Sequence, residues 1–415
     1  MKYKSDENII KKIWKHGLLG SIEVLLVRFC RWINDMLYYL FSLLPVDKNR
    51  IVFESEGDLS DNAYALYENM INKGLLKIYN AAWLVDDIKK IEKTRYENTI
   101  FLEKNPRLIK VRRSYYLATC RWYIYDHCNL LEMLNKREDT TIVNLWHGCG
   151  FKGGKSGEVE IKSKPDYMIV TGRLFVDIQS AVFGYPKDKF LEFGYPRNDY
   201  LFKNFSIKQK CFKEKFKVQN KVILWMPTFR KSDNTLLNEE YFESQTGLPI
   251  IDTVEKLKQF NDFLAKENCV CIFKLHHLQA KLNVFKEKYS NILVVKDEDI
   301  KKAGIQLYEI LPLTDCLISD YSSVATDYFL LNKPMLFTLD DYDKYRNSRG
   351  FAIEDPLKYF VGYHTKNIEE FYDGVYKMIT DECIFKADRN KILSELHTYK
   401  DGHAADRILD FLEIS

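Results

Sequence analysis

The chain has 415 residues, enough for two domains. Apolar residues make up 46% and charged residues 29%, which is ordinary for a globular protein. The formal net charge of +3 excludes a general nucleic-acid footprint, although residues 1–50 carry nine Lys/Arg against five Asp/Glu.

The first segment reads "IIKKIWKHGLLGSIEVLLVRFCRWINDMLYYLFSLLP". Its longest uncharged run, Met36–Val46, is 11 residues, against the roughly 20 that a spanning helix needs. At helical spacing Glu23, Arg28, Arg31, Asn34 and Asp35 share one arc. Trp14, Leu18, Ile22, Leu25, Phe29, Ile33, Met36 and Leu40 lie opposite, and Lys11, Lys12 and Lys15 precede the stripe. This basic amphipathic pattern predicts a helix lying on a membrane surface; the alternative is a helix packed on its own domain. No short apolar run followed by a small-residue cleavage site marks a signal peptide.

After Pro45, short apolar runs alternate with helical segments. Strands are predicted at "IVFES", "AAWLV", "TIFL", "WYIYD", "TIVNLW" and "YMIV", with helices at Ala63–Lys73 and Leu108–Thr119 between them. The strand "TIVNLW" runs into "HGCGFKGGKSG", which looks like a phosphate-binding P-loop. That motif needs a glycine at 149, where the chain has Cys149, and Gly148 comes one position early. What remains is a strand ending in His147, followed by a Gly-rich loop that bears Lys152 and Lys155.

A second series follows the Lys-rich stretch 204–220: "KVILWM", "CVCIFK", "NILVV", "CLIS" and "PMLFTL". Helices are predicted at Thr253–Asn268, Ala280–Tyr289 and Val324–Leu331. Apolar runs alternating with helices imply parallel sheets, so the expected fold is α/β with two doubly wound, Rossmann-like domains. Ligands of such folds bind at the carboxyl ends of strands, here expected between the domains.

The chemistry-bearing residues fall at those ends. His147 follows "TIVNLW"; Thr228, Phe229 and Arg230 follow "KVILWMP"; Lys274 and His276 end "CVCIFKLHH"; Asp320, Tyr321, Ser322 and Ser323 follow "DCLIS". Each type suits phosphate chemistry. Lys274 and Arg230 supply positive charge, His276 a donor, and "SDYSS" hydroxyls and free N–H groups. His147 can take a proton from an attacking hydroxyl. No group has convincing metal spacing, since His276 and His277 would point to opposite faces of a continuing strand. The nine cysteines lack CxxC spacing and read as reduced thiols, Cys269 and Cys271 on one face of a buried strand.

These motifs resemble the CDP-glycerol glycerophosphotransferases, the teichoic acid primase and polymerase family. The resemblance runs from about Ile51 to Ile408 through "SEGDLSDNAYALYENM", "NLWHGCGFKGGK", "GYPRND", "MPTFR", "KLHH", "SDYSSVATDYFLLNKPMLF", "YRNSRGF" and "DGHAADRI". Two positions depart from it: Gly150 and His277 stand where the family usually has proline.

The resemblance implies a GT-B type fold with residues 1–48 as a membrane-associating helical segment. Residues 49–210 would then form an acceptor-side domain and 211–415 a donor-binding one. It implies transfer of glycerol phosphate, or a related polyol phosphate, from CDP-glycerol or CDP-ribitol to a hydroxyl of a lipid-linked saccharide, releasing CMP. No further cofactor or metal is implied, and the place is the cytoplasmic face of the membrane, in teichoic acid or capsule-type polymer synthesis. His147 would be the base and His276 a second catalytic histidine. Thr228, Arg230, Lys274, Asp320, Ser322 and Ser323 would hold the donor, with Lys152, Asn198 and Asp327 as acceptor or loop contacts. Two other readings are a GT-B glycosyltransferase with a nucleotide-sugar donor and a non-catalytic membrane scaffold.

Overall fold

A computed structural model describes residues 9–93, 96–105, 107–127, 136–153, 165–204, 207–215, 221–230 and 243–415. Gly154, Lys155 and Ser156, on which the P-loop comparison turns, lie outside the described residues. By packing, the chain divides into two compact units. The first is Met1–Leu145 with Ile161–Tyr167, the second Trp146–Glu160 with Met168–Ser415. By packing, residues 146–160 and 168–210 fall in the second unit, and the six-stranded sheet begins at Lys221.

In the first unit, strands β1 (Asp47–Glu54), β2 (Asn80–Val85), β3 (Thr99–Glu103), β4 (Cys120–Tyr125) and β5 (Thr141–Asn144) lie in the order β3-β2-β1-β4-β5. All neighbours are parallel. Parallel strands covered on both faces read as unbroken apolar runs, and β2 has five consecutive buried residues after Asn80. Val52, Leu84, Tyr123 and Ile142 share one core cluster.

Helix α1 (Ile9–Phe41) belongs to this unit rather than standing apart. Helix α2 (Asp61–Asn72) matches the prediction closely, and α3 (Val111–Thr119) begins three residues later than expected. Helix α1 packs on α3, and Tyr38 enters the core cluster with Phe41 against it. Its polar arc, rather than its apolar stripe, meets its own domain. Asn34, from the polar arc, is buried, while Ile22, Leu25, Leu26, Phe29, Trp32, Met36, Tyr39, Leu40 and Leu43 are exposed. The reason is hydrogen bonding. Asn34 Nδ2 donates to the Leu108 carbonyl at 3.0 Å, Asn34 Oδ1 accepts from the Lys110 N–H at 3.0 Å, and Ser114 Oγ donates to the Asn34 carbonyl at 3.2 Å. Among the described residues, no helix is long and apolar enough to cross a membrane.

In the second unit, β6 (Tyr167–Ile169) pairs in parallel with β7 (Phe190–Leu191). Six further strands follow: β8 (Lys221–Trp225), β9 (Cys269–Phe273), β10 (Ile292–Val294), β11 (Cys316–Ser319), β12 (Met335–Thr338) and β13 (Tyr363–Thr365). They form a parallel sheet of order β10-β9-β8-β11-β12-β13. The strand order reverses between β8 and β11, which opens a crevice at their carboxyl ends. One predicted helix fails. Residues 280–289 form two 3-10 turns, because Leu282, Val284 and Phe285 all bury themselves in the core, a spacing one helical face cannot supply. Strand β7 escapes prediction because it is two residues long, and β13 because its sequence, Tyr-His-Thr, is not an apolar run.

The core under this sheet is aromatic. Trp225 packs against Phe260, Phe273 and Phe371 at ring-centroid distances of 5.7, 5.2 and 5.3 Å. Phe260 lies on the helix Val254–Lys266 and is fully buried. Phe260→Ala is expected to destabilise the protein by about 3–5 kcal/mol through lost transfer energy and a residual cavity. Urea denaturation checks this, and a loss below about 1 kcal/mol would show that the cluster collapses around the gap.

Candidate functional site

The polar strand ends that the sequence singles out lie on four adjacent strands. Lys274 and His276 follow β9, Thr228 and Arg230 follow β8, and Asp320, Ser322 and Ser323 follow β11. Strand β12 adds Asp341, which the sequence reading passed over although "LDD" directly follows the apolar run "PMLFT". Because the strands are parallel, all these residues sit along one edge of the sheet, at its switch point.

Arg230 holds the edge together and is fully buried. Its Nη1 donates to Asp320 Oδ2 at 2.6 Å, and its Nε and Nη2 donate to Asp341 at 2.7 and 3.1 Å. Burial alone would lower its pKa, but the Asp320 and Asp341 carboxylates outweigh that and raise it, so the guanidinium stays charged. Asp320 also accepts from the Thr228 N–H at 2.9 Å, from Thr228 Oγ1 at 2.8 Å and from the Ser322 N–H at 3.2 Å. Tyr321 donates to Asp341 at 2.8 Å and stacks on Tyr345 at 4.1 Å. Thr228, Arg230 and Asp320 are thus bonded to one another inside the protein. Ser322 and Ser323 remain half-buried at the surface of that framework.

The segment carrying His147 reaches the same turn. A Cβ on Gly148 would come within 2.4 Å of Ser323 Oγ, and one on Gly150 within 3.1 Å of Ser323 Cβ. A side chain at Gly148 would displace the Ser323 hydroxyl, and one at Gly150 would crowd Ser323 by a few tenths of an ångström. Trp146 has φ +54°, rare for a bulky residue, and its indole N–H donates to the Gly148 carbonyl at 2.9 Å. The Trp146 ring lies 4.1 Å from the His147 ring and 4.8 Å from Phe183. The chain bends sharply at Trp146, and its indole covers one side of the His147 imidazole.

Further along, Gly153 N–H donates to the Gly350 carbonyl at 2.8 Å and Ala352 N–H to the Phe151 carbonyl at 2.9 Å, with Lys152 bridged to Phe351. Thr326 Oγ1 donates to the Cys149 carbonyl. The Cys149 thiol lies 2.9 Å from the Tyr195 hydroxyl, and burial pushes its pKa up to about 11, so it is no nucleophile.

Asn198 and Asp327, expected as acceptor or loop contacts, are buried and bonded to each other at 2.9 Å. Asp327 also accepts from Arg197 Nη2 at 2.9 Å and from the Tyr308 hydroxyl. Asp199 accepts from the Ala404 and Ala405 N–H groups at 2.9 Å, and burial raises its pKa to about 6. "GYPRND" therefore ties the β11 turn to the last helix, Ala404–Phe411. Cys149, Tyr195 and Tyr308 carry no sequence signal for these contacts, being ordinary core types.

His276 and His277 lie beyond the end of β9, so strand alternation does not separate them, and their rings are 4.3 Å apart. His276 Nδ1 accepts the Leu278 N–H at 3.3 Å, an arrangement in which the other ring nitrogen, Nε2, carries the donor proton. The His276 ring lies 4.6 Å from Phe229 and is exposed. Lys274 pairs with Asp297 at 2.9 Å; that carboxylate is 60% exposed, so an anion can take its place. Among the described residues, no group of three His, Cys, Asp or Glu side chains is arranged to hold a metal.

Comparison with known proteins fits this arrangement. Residues 36–414 match the family described as CDP-glycerol:poly(glycerophosphate) glycerophosphotransferase. The teichoic acid ribitol-phosphate primase of Bacillus spizizenii is 27% identical, with 94% of this chain and 98% of that protein aligned. The teichoic acid glycerol-phosphate transferase of Staphylococcus aureus is also 27% identical, over 97% and 98%. A structure of the wall teichoic acid polymerase TagF soaked with CDPG has a TM-score of 0.74 at 20% identity, covering 99% of this chain and 98% of that one. With its two parallel-sheet, Rossmann-like domains and the motifs gathered at one sheet edge, the chain belongs to the CDP-glycerol:poly(glycerophosphate) glycerophosphotransferase family, as a transferase of CDP-activated polyol phosphate in teichoic acid synthesis.

Proposed function

We propose that this GT-B type enzyme moves a polyol phosphate from its CDP donor to a hydroxyl of a lipid-linked saccharide at the cytoplasmic face of the membrane. The observation that carries the reading is the approach of Gly148 and Gly150 to Ser323, which brings the His147 segment against the turn suited to the donor phosphates. The exposed apolar side of α1 supports a peripheral membrane location.

The donor pyrophosphate lies against Ser322 and Ser323. Lys274, released from Asp297, and the Nε2–H of His276 neutralise its charge. The acceptor oxygen attacks the phosphorus that bears the polyol while His147 removes its proton. The new O–P bond forms, the P–O bond to CMP breaks, and CMP leaves. Such a transition state is served by positioning and charge, with the CDP-polyol as substrate and no step routed through a cofactor. Thr228, Arg230 and Asp320 do not touch the donor in this reading. They fix the backbone that presents Ser322 and Ser323.

The direct test incubates the protein with CDP-glycerol or CDP-ribitol and lipid-linked saccharide, and follows CMP release and product mass. Turnover only with a nucleotide sugar would overturn the reading. His147→Ala is expected to lower turnover by about 10²–10⁴-fold with donor affinity retained, because a general base acts in the transition state. Normal turnover in that variant would remove His147 from the chemistry. The pair Ser322→Ala and Ser323→Ala is expected to weaken CDP-glycerol binding by about 1.5–3 kcal/mol for each bond lost to the charged phosphates. Titration calorimetry on the folded variant measures it, and unchanged affinity would contradict the assignment. Arg230→Ala should instead cost about 3–5 kcal/mol of folding stability, since it strands two buried carboxylates. A chemically stable Arg230→Ala protein that merely binds donor weakly would return Arg230 to the donor contacts.

A further inference from the structure

The exposed apolar surface of the first unit does not end with α1. Leu108, Ile109 and Val111 are 41%, 43% and 53% exposed, and Arg107 and Arg112 beside them are exposed as well. The backbone between these side chains is fastened to α1, for Asn34 bonds both the Leu108 carbonyl and the Lys110 N–H. Arg113, which is buried, donates to the Glu103 and Asn105 carbonyls at 2.9 and 3.0 Å, and Lys110 pairs with Glu103 at 2.7 Å. The segment is therefore pinned from three sides while its apolar side chains point to the outside. On α1 itself the exposed stripe runs from Ile22 to Leu40 at helical spacing, a length of about 27 Å, with Arg28 exposed along it.

Against water this arrangement is unfavourable, because it buries an amide and exposes leucines, a tryptophan and a phenylalanine. Against a lipid interface it is favourable, and the flanking arginines match an anionic one. We infer that Leu108, Ile109 and Val111 form a second lipid-contacting element, fixed to α1 by Asn34, so that the first unit docks on an anionic bilayer through two contacts. This rests on the membrane placement proposed above. Two contacts joined by a rigid clamp hold the unit at one angle to the bilayer, which a single helix, free to roll about its axis, cannot do.

The test uses the full chain and vesicles of phosphatidylcholine, with or without 30 mol% (roughly the anionic share of a biological surface) phosphatidylglycerol. Three variants are compared by co-sedimentation: Leu108→Ser/Ile109→Ser/Val111→Ser, Phe29→Ser/Trp32→Ser, and Arg107→Gln/Arg112→Gln. Each apolar variant is expected to lower partitioning about ten-fold or more. The arginine variant should lose roughly five-fold per charge on anionic vesicles only, an effect that high salt removes. Wild-type partitioning of the 108/109/111 variant, with release of the Phe29/Trp32 variant, would overturn the second contact and leave membrane placement standing. Full binding by both apolar variants would overturn both contacts, and no vesicle binding by the parent chain would overturn the membrane placement itself. A dimer in solution that both apolar variants dissolve, without vesicle binding by the parent, would make the surface a protein interface and overturn the inference. The substituted side chains are exposed, so the core is untouched. Ile109→Glu alone supplies the same comparison if the triple variant folds poorly, with circular dichroism and turnover on a water-soluble acceptor as controls.

Discussion

The second unit depends on one buried cation. Arg230 bonds Asp320 and Asp341 at once, and those three residues follow three neighbouring strands. Taking two carboxylates and a guanidinium out of water costs several kcal/mol per ion, which attraction repays only when the geometry is nearly ideal. Here it is. Asp320 is filled by Thr228, Arg230 and the Ser322 N–H, and Asp341 by Arg230 and Tyr321. The triad stiffens the three strand ends, because a shift of either carboxylate breaks its charge-assisted bonds to Arg230, and a shift of Arg230 breaks both sets.

The same logic explains where positive charge is free to act. Arg230 looks from sequence like a phosphate ligand, but its charge is spent on two carboxylates. Lys274 has one partner on an exposed carboxylate, and the His276 proton sits on the nitrogen away from the backbone. The division between a framework cation and working groups follows burial: the fully buried group is paired on all sides, the half-exposed ones are not.

Much of this was legible in sequence. The long strands, the parallel α/β class and the cluster of polar strand ends follow from apolar runs punctuated by turn residues. What escaped had physical causes. A strand of two residues, such as β7, leaves no pattern to read. Asn198 and Asp327 look like surface polar residues until folding brings positions 129 apart in the chain into one hydrogen bond. A helical wheel says which residues of α1 share a side, but that the Asn34 side meets the domain follows only from its hydrogen bonds to Leu108 and Lys110. The polar stretch before Lys221 does separate two runs of strands, yet the His147 segment packs with the later one.

Trp146 is where these constraints meet. A left-handed backbone at a bulky residue costs of order 1–3 kcal/mol and persists only where the surroundings over-determine it. Here the indole is bonded to Gly148 and packed on Phe183, while Gly148, Cys149 and Gly150 are held against Ser323 and Thr326. Thr326 is bonded in turn through its carbonyl to the buried His397, whose pKa burial lowers, so that ring stays neutral and the contact is a plain hydrogen bond. The strain is thus balanced by a chain of contacts running from the end of β5, through the β11 turn, to the last helices. A histidine on a free loop would need none of this. An imidazole proposed to take a proton must be held within a fraction of an ångström, and the bend at Trp146, with the indole 4.1 Å from the His147 ring, restricts where that ring can lie.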